Sequence, residues 1–157
     1  MKNIFVAISL LFSSFFMAQT GVTSNEVITP PEIVLATFQK EYPNKVAVWT
    51  SEYFGEDNDE IRYEAKFNTD TNSKALAIYD ISGKLKAFVL EIPINQLPKD
   101  ALIYLRKNYP EKSIRNASVV VDDKKQTTYE VGVEKNALFY DVVFDIDGKF
   151  DVIIQKD

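Results

Sequence analysis

Two segments of the chain carry apolar residues at the spacing of an amphipathic helix. Pro43 and Pro110 mark the ends of these helices, because proline disfavours helix at the residue before it. We expect Thr29 to cap the first helix with Pro30 at its first position, and Pro98 to open the second. The apolar stripes are Val34, Leu35, Phe38 and Tyr42 in the first helix, and Ala101, Leu102, Leu105 and Tyr109 in the second. Each helix therefore has one apolar side to bury.

Alternating apolar and polar residues predict four strands after each helix. The strands are expected near 45–53, 60–67, 74–81 and 84–92, and then near 113–121, 126–134, 137–146 and 149–155. Ser82-Gly83 and Asp147-Gly148 are expected to form two-residue hairpin turns, because such turns need residues that tolerate positive φ. Residues 122–125 form a further predicted hairpin connection. Short connections make neighbouring strands antiparallel.

The same alternation predicts which strand residues face the helices. In the second strand of each half, Tyr63, Ala65 and Phe67, and Tyr129, Val131 and Val133, are assigned to the helix-covered face. In the final hairpins the assigned residues are Ala77, Tyr79, Ile81, Leu85, Ala87 and Val89, together with Val142, Phe144, Ile146, Phe150, Val152 and Ile154. Phe88 and Phe139 fall out of phase with these sets and are expected on the helix-free side.

The two halves of the chain also match each other in sequence. Pro31, Leu35, Lys40, Tyr42 and Pro43 recur 67 positions later as Pro98, Leu102, Lys107, Tyr109 and Pro110. The Tyr-Glu pair of 63–64 recurs at 129–130, and the Asp-Ile-x-Gly-Lys segment of 80–84 recurs at 145–149. Three matches in the same order predict an internal duplication. The expected fold class is α+β: a tandem repeat of helix plus four antiparallel strands, 29–96 and 97–157, with the helices packed on one face of a sheet of up to eight strands.

The first residues have the layout of an export signal. A short basic start is followed by an apolar run from Ile4 to Met17 and by the small residue Ala18. This predicts a signal peptide at 1–18 and a linker at 19–28, and hence a periplasmic or secreted protein. The alternative is a membrane anchor, but the run is shorter than the roughly 20 apolar residues that a spanning helix needs. No membrane insertion is expected after cleavage.

Composition narrows the possible functions. The chain of 157 residues has a formal net charge of −5, which becomes −6 if Lys2 is removed with the signal. Nucleic acids and anionic lipids repel such a chain, so neither is an expected partner. The chain contains no Cys and no His, which removes the common nucleophile dyads and triads and the usual zinc ligand sets. We therefore predict no enzyme, no cofactor and no metal.

The duplicated motifs resemble a known family. Helices ending in Tyr42-Pro43 and Tyr109-Pro110, then Tyr-Glu-Ala or Tyr-Glu-Val, then Asp-x-x-Gly-Lys, resemble the PepSY-like family of exported bacterial proteins. That family is related in fold to a beta-lactamase inhibitory protein, and the resemblance covers about 30–157. It implies an exported tandem α/β repeat without catalytic residues, and a concave, helix-free sheet surface that holds a target. The chain differs from that inhibitor in having no disulfides, and it carries no match to the inhibitory loop residues.

Two acidic features of the sequence are candidate sites. Glu64 and Glu130 occupy equivalent repeat positions on the predicted open face, where they either share acid–base work or are simply solvated, and the second interpretation is favoured. The acidic loop 56–60 and the Asp145–Gly148 segment offer oxygen ligands for calcium. Neither has the full ligand pattern, and the aspartates at 145 and 147 are better explained as turn residues.

Aromatic residues give the leading functional hypothesis. The predicted partner-binding residues are Trp49, Tyr53, Phe54, Phe88 and Phe139. Exposed aromatic side chains anchor protein partners, because they bury much area at low entropic cost. The chain is therefore predicted to be a non-catalytic binding or inhibitory module that holds an unidentified protein or peptide on the helix-free face. The alternative is a small-ligand carrier with a pocket between helices and sheet, beneath Tyr63, Tyr129 or Phe144.

Overall fold

The computed structural model describes residues 28–54 and 60–156, which form two helices and one eight-stranded antiparallel sheet. Helix α1 spans Glu32–Glu41 and helix α2 spans Lys99–Asn108, and each is followed by four strands. The strands are β1 (Val48–Phe54), β2 (Glu60–Asn68), β3 (Lys74–Asp80), β4 (Leu85–Ile92), β5 (Ile114–Asp122), β6 (Thr127–Lys135), β7 (Leu138–Phe144) and β8 (Phe150–Lys156). They lie side by side in chain order. The predicted α+β class and antiparallel sheet are confirmed, whereas duplication of the sequence stays a prediction.

Both helices pack on the same face of the sheet. Phe38 of α1 is buried and lies 5.3 Å from Trp49 and 5.2 Å from Phe67, measured between ring centroids. On β4, Leu90 packs with the cluster under α1 and Ile92 packs with the cluster under α2. Alternate residues of a strand share a face, so one face carries both helices. We call the opposite, helix-free side the reverse face.

Proline sets the ends of the helices. The helices stop at Glu41 and Asn108, ahead of the Tyr-Pro pairs, as the sequence predicts. The predicted cap at Thr29 is wrong, because α1 begins at Glu32 with Pro31 as its N-cap and without a side-chain cap hydrogen bond. Pro31 restricts Pro30 to extended backbone, and this keeps the helix from starting earlier.

Three hairpins share one turn built on an aspartate. At the β3–β4 hairpin, the backbone N–H of Gly83 donates to Asp80 O and the N–H of Asp80 donates to Lys84 O, both at 3.0 Å. The Asp80 carboxylate accepts the N–H of Lys84 at 3.1 Å, and Gly83 has φ +80°. Asp122 and Asp145 organise their turns in the same way. The predicted two-residue turns are therefore wrong, because each loop has three residues ending in a left-handed one.

An extra residue in β4 and another in β8 change the face of the residues that follow. Tyr79 pairs with Leu85 while Ile78 pairs with Ala87, which leaves Lys86 as an additional residue. In β8 the equivalent extra residue is Asp151. A one-residue insertion moves every later side chain to the other side of the sheet. The assignment of Ala87, Val89, Val152 and Ile154 to the helix side is therefore wrong, and these residues lie on the reverse face.

Some predictions fall outside the described residues. The signal peptide at 1–18, nearly all of the linker at 19–28 and most of the acidic loop 56–60 belong to this group. Within 28–54 and 60–156, no helix has the length and apolar character needed to span a bilayer.

Candidate functional site

The middle of the reverse face is apolar. Its residues come from the adjacent strands β3, β4 and β5, and each is less than 5% exposed: Leu76, Ile78, Ala87, Val89 and Val120. We call this set the apolar centre. It consists of strand residues only, and both described helices lie on the opposite side of the sheet. Side chains on the flanking strands surround it, with Lys66 paired beside Leu76 and Thr128 paired beside Val120.

A polar group flanks the apolar centre on β1 and β2. The Thr50 hydroxyl donates a hydrogen bond of 2.8 Å to Glu64, which is 4% exposed. The Lys66 ammonium lies 3.4 Å from the same carboxylate. Burial raises the pKa of Glu52, and the nearby Glu64 raises it further, while Lys66 opposes both effects. This flank therefore holds two carboxylates around one lysine.

Arg62 and Phe54 extend this flank toward the end of β1. The Arg62 guanidinium lies 4.1 Å from the centroid of the Phe54 ring, a cation–π contact. It also donates to the Glu60 carboxylate at 3.1 Å. Both contacts hold the long arginine side chain flat on the reverse face.

A second charged group lies on the other flank, on β6, β7 and β8. Asp141 is 6% exposed and forms an ion pair with Lys156. Burial raises the pKa of Asp141, although the hydrogen bond from Lys156 opposes that rise. Glu130 lies across from the buried Ser118 on β5. Burial, together with the charge of Asp141, raises the pKa of Glu130 to about 8.

One end of the reverse face carries a cluster of two lysines on one aspartate. Lys84 and Lys86 each lie 2.8 Å from the Asp123 carboxylate, which joins the β3–β4 hairpin to the β5–β6 hairpin. These lysines hold the pKa of Asp123 well below its usual range. The two ion pairs fix the two hairpins against each other on one side of the apolar centre.

The predicted partner-binding aromatics do not come together. Trp49 is 8% exposed and packs on the helix side, and Phe88 also lies there, stacked on Tyr42. The placement of Phe88 on the helix-free side is therefore wrong. Tyr53 shares the side of β1 that carries Trp49 and is 68% exposed. Phe54 and Phe139 do lie on the reverse face, at opposite flanks of the sheet.

Sequence reasoning missed the apolar centre itself. The predicted helix-covered face of this strand includes Ala77 and Tyr79, and no role is predicted for Leu76 and Ile78. The available signal was the unbroken apolar run from Ala75 to Tyr79, because a strand buried on both sides shows such a run instead of alternation.

The geometry argues against the shared acid–base site. Glu64 and Glu130 both lie on the reverse face, as predicted, but β3, β4 and β5 stand between their strands. Four strand spacings place them about 19 Å apart, far beyond the separation of roughly 5–10 Å used by paired catalytic carboxylates. In the described part of the chain, no three acidic side chains form a group able to hold a metal ion. The carboxylate of Asp145 is occupied by backbone N–H groups of its own turn.

The proposed small-ligand pocket has no observation in its favour. Phe144, beneath which a cavity was predicted, is completely buried. Its ring lies 5.5 Å from that of Tyr104 on α2, so aromatic side chains fill this part of the helix–sheet interface. The carrier hypothesis stays an untested prediction.

Solved structures with the same fold come from species of Bacteroides. A protein inferred to be periplasmic from Bacteroides eggerthii superposes with a TM-score of 0.68 at 14% identity, covering 81% of this chain and 89% of its own. A DUF2874 family protein from Bacteroides uniformis gives 0.66 at 16% identity, covering 81% and 90%. A BLIP-like protein from Bacteroides fragilis gives 0.60 at 20% identity, covering 82% and 87%. No protein-family model and no curated protein matches the chain. At these identities the likeness shows a BLIP-like fold.

Proposed function

We propose that this chain is an exported, non-catalytic binding module that holds a protein or peptide on the reverse face of its sheet. The observation that carries the proposal is the apolar centre, which lies on the side of the sheet without helices and is framed by charged side chains. The apolar centre is itself less than 5% exposed, so the surface that a partner meets is the border around it, where Phe139 is 54% exposed. Exposed aromatic side chains among charged ones are common in protein-binding surfaces. We also propose that the chain is related to the PepSY-like family and that its two halves arose by duplication.

Two further observations support this function. The apolar run at the start of the sequence favours export, and one structural neighbour is described as periplasmic. Another neighbour is described as a BLIP-like protein, which agrees with a binding role. The absence of His and Cys from the sequence agrees with a role that needs no nucleophile.

The test compares two substitutions on adjacent residues of β6. Thr128 pairs with Val120 on the reverse face, whereas Thr127 pairs with Val121 on the helix side. Thr128→Trp places a large neutral side chain beside the apolar centre, and Thr127→Trp is its matched control. Proteins retained from the cell envelope by the wild-type protein are identified, and the affinity of each purified candidate is measured with both variants.

We expect Thr128→Trp to weaken binding by about ten-fold or more, and Thr127→Trp to leave it within about two-fold. Circular dichroism and thermal unfolding establish that both variants are folded. If the two variants bind equally well, the partner does not use the reverse face and the proposal is wrong.

A further inference from the structure

Strand β8 is an edge of the sheet with an apolar middle. Within residues 28–54 and 60–156 it pairs with β7 alone, so alternate residues turn their backbone N–H and C=O groups away from the sheet. Its middle is the apolar run 152–154, and the strand contains neither proline nor glycine. Ile153 is 42% exposed, although Val142, with which it pairs on the helix side, is completely buried. An apolar edge of this kind is a template for a further strand.

The charged residues of β8 leave its middle unprotected. Lysine side chains commonly guard an edge strand against pairing. Lys156, however, lies on the reverse face in an ion pair with Asp141, and its side chain is only 7% exposed. Asp151 is the extra residue at the bulge near the beginning of the strand. The other edge of the sheet differs, because the middle of β1 is the polar run 50–52.

β8 is complementary to itself in one antiparallel register. When Ile153 lies opposite Ile153 of a second copy, Val152 lies opposite Ile154, and Asp151 lies opposite Gln155. Apolar side chains then meet apolar ones on both faces of the sheet. The remaining pair joins a carboxylate to an amide whose N–H groups can donate to it.

Other registers of the same pairing are poorer. A shift by two residues in one direction sets Asp151 opposite Ile153, and in the other direction it sets Lys156 opposite Val152. Each of these pairs places a charged residue beside an apolar one. A shift by one residue pairs the helix side of one copy with the reverse face of the other, so that the exposed Ile153 no longer meets its like.

The helices leave room for this contact. The buried residues of α2 pack with Val131 and Val133 of β6 and with Val142 and Phe144 of β7. In a sheet continued across two β8 strands, the two α2 helices would lie four strand spacings apart, about 19 Å. A helix with its side chains is about 10–12 Å wide, so the two helices would not collide.

We propose that two copies of this chain associate by antiparallel pairing of their β8 strands, with Ile153 of one copy opposite Ile153 of the other. The same surface is used by both copies, so the contact closes as a dimer. Both helix layers lie on one side of the continued sheet, and both reverse faces lie on the other. The contact is smaller than a standard protein interface, so we expect a dissociation constant of about 10 μM. The inference goes beyond the proposed function and does not depend on it.

The first experiment measures association by sedimentation equilibrium at protein concentrations from about 1 to 300 μM, a range that brackets the expected constant. The wild type is compared with Ile153→Lys, Ile153→Glu and an equimolar mixture of these two variants. Ser51→Lys is the matched control, because Ser51 is exposed at the middle of the other edge strand, β1. Circular dichroism establishes that each variant is folded.

We expect Ser51→Lys to dimerise within about two-fold of the wild type. Ile153→Lys and Ile153→Glu should each weaken dimerisation by about ten-fold or more, because like charges then lie directly opposite each other. The mixture should dimerise again, since lysine of one copy then faces glutamate of the other. Recovery in the mixture distinguishes a lost contact from a damaged fold.

A single introduced cysteine tests the register, because the chain has no Cys of its own. Ile153→Cys should form a disulfide between two copies on mild oxidation, since residues directly opposite each other have Cα atoms about 4.5–5.5 Å apart. Gln155→Cys is the matched control on the same side of β8. Its counterpart in the second copy would lie about 14 Å away, so its disulfide should form at least about ten-fold more slowly.

Three results would overturn the inference. The first is a wild type that stays monomeric up to about 300 μM, thirty times the expected constant. The second is a dimer that Ile153→Lys leaves intact, or that the mixture of the two charged variants does not restore. The third is a disulfide that forms as fast with Gln155→Cys as with Ile153→Cys.

Discussion

The ring of Phe88 on β4 stacks on the ring of Tyr42 at the end of α1, with centroids 5.8 Å apart and 15° between the planes. Tyr42 also contacts Phe38 and Phe67, at 5.3 Å and 4.7 Å between centroids. Phe88 is thus part of an aromatic layer under α1. Phe88, which the sequence predicts on the helix-free side, instead holds the first helix on the sheet.

Replacement of Phe88 by alanine tests this role. Phe88→Ala should lower the free energy of unfolding by about 2–3 kcal/mol, somewhat less than the loss for a fully buried phenylalanine, because its ring is half-buried. Phe139→Ala is the control, since Phe139 is 54% exposed on the reverse face and should cost less than about 1 kcal/mol. Urea denaturation measures both. Equal losses would contradict the stacking role of Phe88.

The alternation of apolar and polar residues predicted the strands and most of their faces. The face assignment is wrong only after the bulges in β4 and β8. Tyr63 through Phe67 and Tyr129 through Val133 lie as predicted, because no residue is inserted in β2 or β6. Lys86 and Asp151 carry no glycine or proline signal, so nothing in the sequence showed that the faces exchange after them. The apolar centre was hidden by that exchange.

Partner binding by the predicted aromatic residues stays a prediction, but the structure places two of them, Trp49 and Phe88, under the first helix. Trp49 and Phe88 are large aromatic residues, and a large ring also fills the space under a helix well. Whether such a ring meets a partner or packs in the core depends on how deeply it is buried. That burial depends on contacts with α1, which are distant in sequence. Phe54 and Phe139 reached the reverse face because no bulge precedes them within their strands.

The two turn glycines differ in how closely the helices approach them. Both have positive φ, but a Cβ on Gly148 would lie 2.6 Å from Pro98 Cβ and 3.0 Å from the backbone N of Ala101. A Cβ on Gly83 would lie 3.1 Å from its nearest neighbours. We expect Gly148→Ala to cost about 3 kcal/mol and Gly83→Ala about 1–2 kcal/mol, since strain in φ is common to both and overlap with the rigid Pro98 ring is added at 148. Thermal unfolding of the two variants shows which one loses more stability. A larger loss for Gly83→Ala would contradict this prediction.

A buried tyrosine ties β3 to α1. The Tyr79 hydroxyl donates a 2.8 Å hydrogen bond to Glu41, while the rest of its side chain is completely buried. Tyr79→Phe should lower the free energy of unfolding by about 1–2 kcal/mol, because a hydrogen bond to a charged group is lost. Tyr63→Phe on the neighbouring strand is the control and should cost less than about 0.5 kcal/mol. Chemical denaturation compares them, and a harmless Tyr79→Phe would show that the bond does not contribute.

The raised pKa of Glu130 predicts how stability depends on pH. An unfolded glutamate ionises near pH 4.3, whereas Glu130 in the folded chain holds its proton up to about pH 8. Between these values the folded state binds more protons than the unfolded state. The contribution of Glu130 is therefore fully present below about pH 4.3 and is lost as pH rises, by up to about 1.4 kcal/mol per pH unit.

The measurement is the free energy of unfolding of the wild type and of Glu130→Gln, determined by denaturant titration at about pH 5, 6.5 and 8. Burial also raises the pKa values of Glu52 and Asp141, so the wild-type slope has several sources, and the quantity to compare is the difference between the two proteins. That difference should shift in favour of Glu130→Gln as pH rises, because glutamine has no proton to lose. Glu134→Gln should show no such trend relative to the wild type. A difference that is independent of pH would mean that Glu130 ionises as readily in the folded chain as in the unfolded chain, and that burial does not raise its pKa.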